Sequence, residues 1–323
     1  MREIAKHLRC LSLPLLSRLP TLAALFGLTL PAPAPRAAPQ GTSVLVVVSQ
    51  DGRAYRDALA SFRHSLEHQR GQLDVRVVQL DGDAVRAPQV IPATAQADLV
   101  LTLGTLATRE SLRRYQTTPL VAGMILSADE LEGSPNATGV FLQFPVQTEL
   151  EWLARLFPSL RRVGVIYHSA DTKTRVARAE RLAAESNLTI QSYHIDGPQE
   201  LPDALENLAD RADVLWGVTD PIVFNPETAK SLLVFSFRHQ IPLIGHSTPW
   251  VKAGALYALD RDYGDIGVQC AEMAEKILAG RAPSTLPPVP PRKIRYTLNR
   301  KTAEQMKLEL PERVYRDAAE VVE

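Results

Sequence analysis

Ser43–Arg70 reads SVLVVVSQDGRAYRDALASFRHSLEHQR. Its opening, Ser43–Val48, is an uninterrupted β-branched and apolar run, and a helical pattern follows from about Tyr55 to Arg70. A strand with no alternating polar positions is buried on both faces, which requires a parallel sheet covered by helices. The same unit recurs down the chain. Further strands are expected at Val75–Leu80, Leu99–Leu103, Leu120–Ile125, Val163–Tyr167, Thr189–His194, Val214–Val218 and Pro242–Ile244. Helical patterns at Leu106–Tyr115, Thr148–Phe157, Thr172–Ser186 and Pro226–Gln240 separate several of them. Asp171 is the expected cap before Thr172, Pro226 marks a first turn, and Asp262 precedes a helix over Asp265–Leu278 that stops at Gly280. The fold class is α/β.

The strand–helix units form two groups, about 43–126 and 161–245, joined by Gly133–Pro145, a stretch rich in Gly, Pro and Asn read as a linker. A Pro-dense segment, Pro283–Pro291, leads to a strand pattern at Lys293–Leu298 and a final helical stretch from about Arg300. We therefore expect two Rossmann-like lobes with parallel sheets: 41–143 plus about 261–282, and 144–260 plus about 290–323. Several crossings between them would make a hinge. Open sheets of this kind bind ligands at the carboxyl ends of their strands, so the facing lobes would enclose a central cleft.

The N-terminus carries a different signal. Arg2, Lys6, Arg9 and Arg18 precede the short apolar stretch Leu19–Leu30 and the Pro/Ala-rich run Pro31–Gln40. Residues 1–38 thus read as a secretory signal peptide cleaved within 34–40, since the apolar stretch after Arg18 is too short to span a bilayer. Cys10 precedes that stretch, so the exported protein is not a lipoprotein. The full chain has 36 Lys+Arg against 36 Asp+Glu, and removal of residues 1–38 leaves a net charge of −4. With no long basic run, a nucleic-acid partner is not expected. Cys270 alone then remains, at helical spacing with Ile266, Met273 and Ile277, which reads as a buried small hydrophobe.

Asp98–Thr105 (DLVLTLGT), Arg161–Ser169 (RRVGVIYHS), Asp213–Asp220 (DVLWGVTD), Ile241–Ile244 (IPLI) and Val251–Asp262 (VKAGALYALDRD) occur in an order and spacing that resemble the ABC-transporter substrate-binding family. The likeness extends over nearly all of 43–323. It implies the type I periplasmic-binding fold, no cofactor, no metal, no catalysis, and a periplasmic monomer that holds a small-molecule ligand for an ABC permease. A sensory protein signalling to a membrane partner would use the same fold. Some positions depart from the family's usual polar residues: Met124-Ile125-Leu126 stands where an Asp-Pro is frequent, and Phe141-Leu142 where a Ser/Asp pair is common. The pocket is expected to be more apolar than is usual in the family.

Candidate ligand-binding residues lie at strand ends. Gly104 and Thr105 turn a strand into a helix and could receive an anion on backbone N–H groups, or form an ordinary cap. Thr219 and Asp220 match the family's Thr-Asp position, which implies that Asp220 holds a ligand amino group; a turn before Pro221 is the competing role. Tyr167, His168 and Ser169 end the corresponding strand of the second lobe, and an acidic residue is common in the family near Ser247. Tyr55 and Trp250, ahead of Phe144, are expected to clamp a planar ligand, and Trp216 is expected in the core.

Two enzyme-like patterns are weak. Gly245-His246-Ser247-Thr248-Pro249 imitates a nucleophile elbow, but Pro249 replaces the final Gly and no His follows His246. His64 and His68 sit one helical turn apart without an evident third ligand, as a solvated face would have them.

Overall fold

The computed structural model describes residues 41–323; the expected signal peptide, its cleavage region and Cys10 lie outside the described residues. Twelve strands occur: β1 Thr42–Val48, β2 Leu73–Gln79, β3 Leu99–Leu103, β4 Leu120–Ile125, β5 Ala137–Phe141, β6 Arg162–Tyr167, β7 Thr189–His194, β8 Val214–Trp216, β9 Leu243–Gly245, β10 Tyr257–Arg261, β11 Ile294–Asn299 and β12 Glu320–Val322. The helices are α1 Arg53–Arg70, α2 Ala87–Val90, α3 Thr105–Arg114, α4 Val146–Leu156, α5 Ala170–Ala183, α6 Leu201–Leu208, α7 Pro226–His239, α8 Thr248–Ala253, α9 Tyr263–Leu278, α10 Arg300–Gln305 and α11 Glu312–Arg316.

Two sheets result, ordered β2-β1-β3-β4-β5 and β12-β11-β10-β9-β8-β6-β7. Within the second, β7-β6-β8-β9-β10 repeats the winding of the first. Each sheet therefore reverses its strand order once, between β1 and β3 and between β6 and β8, and a crevice opens at such a switch point. The strands of both windings are parallel, as their apolar runs imply, and β11 extends the second sheet by pairing antiparallel with β10. One core lies between the first sheet and α1 and α9, a second covers that sheet's other face, and a third fills the second lobe.

The stretch 133–145 is not a linker throughout. Its middle, Ala137–Phe141, pairs with β4 as the fifth strand of the first sheet, because partner carbonyls and a buried face outweigh the flanking turn residues. Capping also differs at α5, where Ser169 Oγ, and not Asp171, accepts from the Thr172 amide at 3.2 Å. The other start signals have a direct geometric cause: Asn225 and Thr228 form a capping box around Pro226, and Asp262 accepts from the Asp265 amide at 3.0 Å.

The chain passes between the sheets after β5, between β10 and α9, and ahead of β11. Hydrogen bonds stitch these passages together. Arg261 Nε donates to the Leu142 carbonyl at 2.8 Å, and the Asp262 amide donates to the Lys293 carbonyl at 3.3 Å. Arg292 donates to both oxygens of Asp265 on α9, at 2.9 and 3.1 Å. Although α9 follows β10 in sequence, it packs against α1, β4 and β5 of the first sheet.

Candidate functional site

At the end of β1, Ser49 Oγ accepts from the Ala107 amide at 2.9 Å, so the start of α3 is tied to the neighbouring strand. Between them Gly104 adopts φ 92°, and a Cβ there would lie 2.5 Å from Ser49 Oγ and 3.1 Å from the Tyr55 ring. Ser49, Tyr55 and Gly104 are thus brought together on the first lobe. Thr105 Oγ1 accepts from the Leu126 amide at 3.3 Å and fixes the end of β4. There Met124 has φ 59° beside a shift in strand register, which leaves Leu126 56% exposed.

In the second lobe Asp220 is only 1% exposed. One carboxylate oxygen accepts from the amides of His168 and Ser169 and from Thr172 Oγ1, at 2.9, 3.0 and 2.6 Å. The other accepts from the amides of Ile222 and Val223, at 3.0 and 3.2 Å. Burial would raise this carboxyl, but the hydrogen bonds from Ser169, Thr172, His168 and Ile222 outweigh it and hold it down to about 2. The expectation that Asp220 receives a ligand amino group does not fit this geometry: its acceptors are occupied in joining two strand-end turns. Tyr167, His168, Ser169, Thr219 and Asp220 do converge, but Tyr167 packs edge-on to His194 and His168 Nδ1 lies 2.9 Å from the Ile195 carbonyl. Ser247 precedes α8 and makes no side-chain cap, while Trp250 packs on Phe224 and His246, with centroids 5.4 Å from each.

A cavity of about 710 Å³ lies where both sheets' strand ends meet the crossing after β5. Of the ten candidates only Thr219 lines it. Its inner charged groups, Glu149, Arg175 and Arg261, were not singled out from sequence, although Arg261 falls within the VKAGALYALDRD pattern. Arg175 pairs with Glu149, donates to the Phe144 carbonyl at 3.1 Å and lies 5.8 Å from the Trp216 ring. Burial pushes the Glu149 carboxyl up, with Arg175 opposing. Arg261 sits 4.4 Å over the Phe144 ring. Burial, then the charge of Arg261, lowers His246. The aromatic lining residues are Phe141 and the buried Phe144, Trp216 and Tyr257, whereas Tyr55 and Trp250 do not line the cavity. Trp216 is thus both core and cavity wall.

Two α/β lobes of matching winding, three crossings and a cavity at the strand ends define the two-lobed binding-protein architecture of type I. The chain belongs to the ABC transporter substrate binding protein family, whose model matches residues 44–322. A tyrosine-binding protein of Clostridioides difficile is 26% identical over 173 residues, 53% of this chain and 49% of that protein. The chain spans about half the length of the curated relatives it matches. Among solved structures, the ligand-free, open form of a Clostridium difficile substrate binding protein with adhesive properties aligns at TM-score 0.73 and 20% identity, covering 87% of this chain and 99% of that one. A Streptococcus pneumoniae ABC domain in complex with L-Trp aligns at TM-score 0.58 and 20% identity, covering 88% and 100%. These structural likenesses establish the fold.

Proposed function

We propose that the protein is the periplasmic solute receptor of an ABC importer, capturing a small molecule between its lobes and presenting the closed form to a membrane permease. The observation that carries this reading is the cavity of about 710 Å³, lined by strand ends of both lobes and by the crossing after β5. Its size suits a single small solute. The lobes are 41–143 with about 261–282, and 144–260 with about 290–323. Ser49, Tyr55, Gly104 and Thr105 form the first lobe's edge of the cleft, and Tyr167–Ser169, Thr219, Ser247 and Trp250 the opposing edge. Asp220 positions that second edge from beneath. The tyrosine-binding and L-Trp-bound relatives support a carboxylate-bearing solute.

A thermal-shift screen against amino acids, aromatic acids, nucleosides and purines tests the reading. A ligand at about a hundred times its dissociation constant adds about 2.7 kcal/mol to stability, a readily measured rise in Tm. Silence across the panel, with protein shown to be folded and ligand-free, would count against a solute receptor.

A further inference from the structure

The cavity carries an uneven charge at its inner end. Two guanidinium groups, Arg175 and Arg261, share it with one carboxylate, Glu149, and that carboxylate is the ion-pair partner of Arg175. Arg261 forms no ion pair among the described residues. Its Nε is spent on the Leu142 carbonyl, and its plane lies on Phe144. The adjacent Asp260 accepts instead from the Arg261 backbone amide at 2.8 Å and from the Tyr263 hydroxyl at 3.4 Å. Asp260 and Glu149 act on this partly buried guanidinium from nearby without pairing with it, so an anion arriving in the cavity would make the ion pair that its Nη groups lack. Beside it, His246 Nδ1 is buried without a hydrogen-bond partner.

An ammonium group finds no free carboxylate among the inner lining residues. Glu149 is paired, Asp220 is saturated by five donors, and the remaining lining carboxylates, Asp129 and Asp171, stand at the exposed rim. An ammonium placed inside would also face two guanidinium groups of its own sign.

We propose that the cleft takes a monocarboxylic acid with an aromatic or apolar body and no ammonium group. Its carboxylate pairs with the Nη groups of Arg261, His246 Nδ1 supplies a further hydrogen bond, and Phe144, Trp216 and Leu126 receive the body. This rests on the solute-receptor reading and separates this chain's ligand from the amino acids named for its relatives.

Calorimetric titration of the purified protein with three ligand series on the same rings tests it. The series are L-tryptophan and L-tyrosine, the deaminated acids indole-3-propionate and 3-(4-hydroxyphenyl)propionate, and the decarboxylated amines tryptamine and tyramine. The acids should bind at least about tenfold more tightly than the amino acids, and the amines not at all. This comparison needs no variant. Arg261→Gln should weaken the acids by about tenfold or more, with Arg261→Lys intermediate, in proteins whose ligand-free melting matches wild type. Equal or tighter binding of the amino acids, binding of the amines, or unchanged acid affinity in Arg261→Gln would overturn the inference. Binding of a nucleoside or purine with none of the acids would overturn it too, yet leave the receptor reading standing. Absence of any binding would remove both.

Discussion

Asp220 joins two turns through five accepted hydrogen bonds, and its energetic role follows from that geometry. Its carboxyl titrates at about 2 in the folded protein against an ordinary value of 3.8. The stabilisation is fully present above about pH 4 and is lost as pH falls through about 2, and it amounts to about 2 kcal/mol. Asp220→Asn turns an amide N–H₂ toward backbone donors, and urea unfolding should show a loss of about 2–4 kcal/mol at pH 7 that shrinks on acidification. A loss independent of pH would assign the effect to packing. Gly104→Ala should cost about 1–3 kcal/mol by the same measurement, because φ 92° disfavours a side chain and the new methyl meets Ser49 Oγ. The position of Asp220 was legible in the sequence, but its role was not: DVLWGVTD says that an acid ends a strand, and only the tertiary arrangement shows which amides surround it. Arg261 was hidden similarly, since nothing local reveals that its guanidinium lines the cavity without forming an ion pair among the described residues.

Elements were legible where burial dictated their composition. The bounds of β3, β4 and β7 coincide with the expected runs, and β1 and β6 begin one residue earlier than expected. The exceptions are informative. β5 lies among turn residues, and α8 and α6 are too short for a decisive period, so pairing partners distant in sequence determine them. The α1–α9 pair shows how closely such partners approach: a Cβ on Gly267 would lie 2.1 Å from the Ala58 carbonyl oxygen. Gly267→Ala must force the helices apart, and should lower unfolding stability by about 1–3 kcal/mol. An unchanged denaturation midpoint would show that the two backbones separate without cost. Cys270 on the same helix is buried, and burial pushes its thiol up to about 12. Peptide mapping after treatment with a thiol reagent at pH 8 should find it unmodified in native protein and modified in urea.

At the scale of the whole molecule, two lobes were legible because the strand–helix unit recurs, whereas the site between them depends on how the crossings fold back on one another. The passages around Arg261, Asp262 and Arg292 are hydrogen-bonded to one another, and a hinge at these crossings is the expectation that a ligand-bound measurement tests. With a ligand identified in the screen, small-angle scattering should show a smaller radius of gyration than in the ligand-free protein. An unchanged profile at saturation would rule out lobe closure as the response.

The return of α9 to the first lobe also sets an order of events during biosynthesis. The ribosome completes β5 at Phe141, but the helix that covers Val46 and Leu101 begins only at Tyr263. Until then α1 alone covers that greasy side of the first sheet, so the core of the nascent first lobe stays incomplete while most of the second is made. A fragment ending at Asp262 should be rapidly digested by protease, and a synthetic peptide of residues 263–278 should slow that digestion. For the periplasmic receptor proposed above, such late closure would keep the polypeptide fit for threading through a narrow translocation channel before it sets.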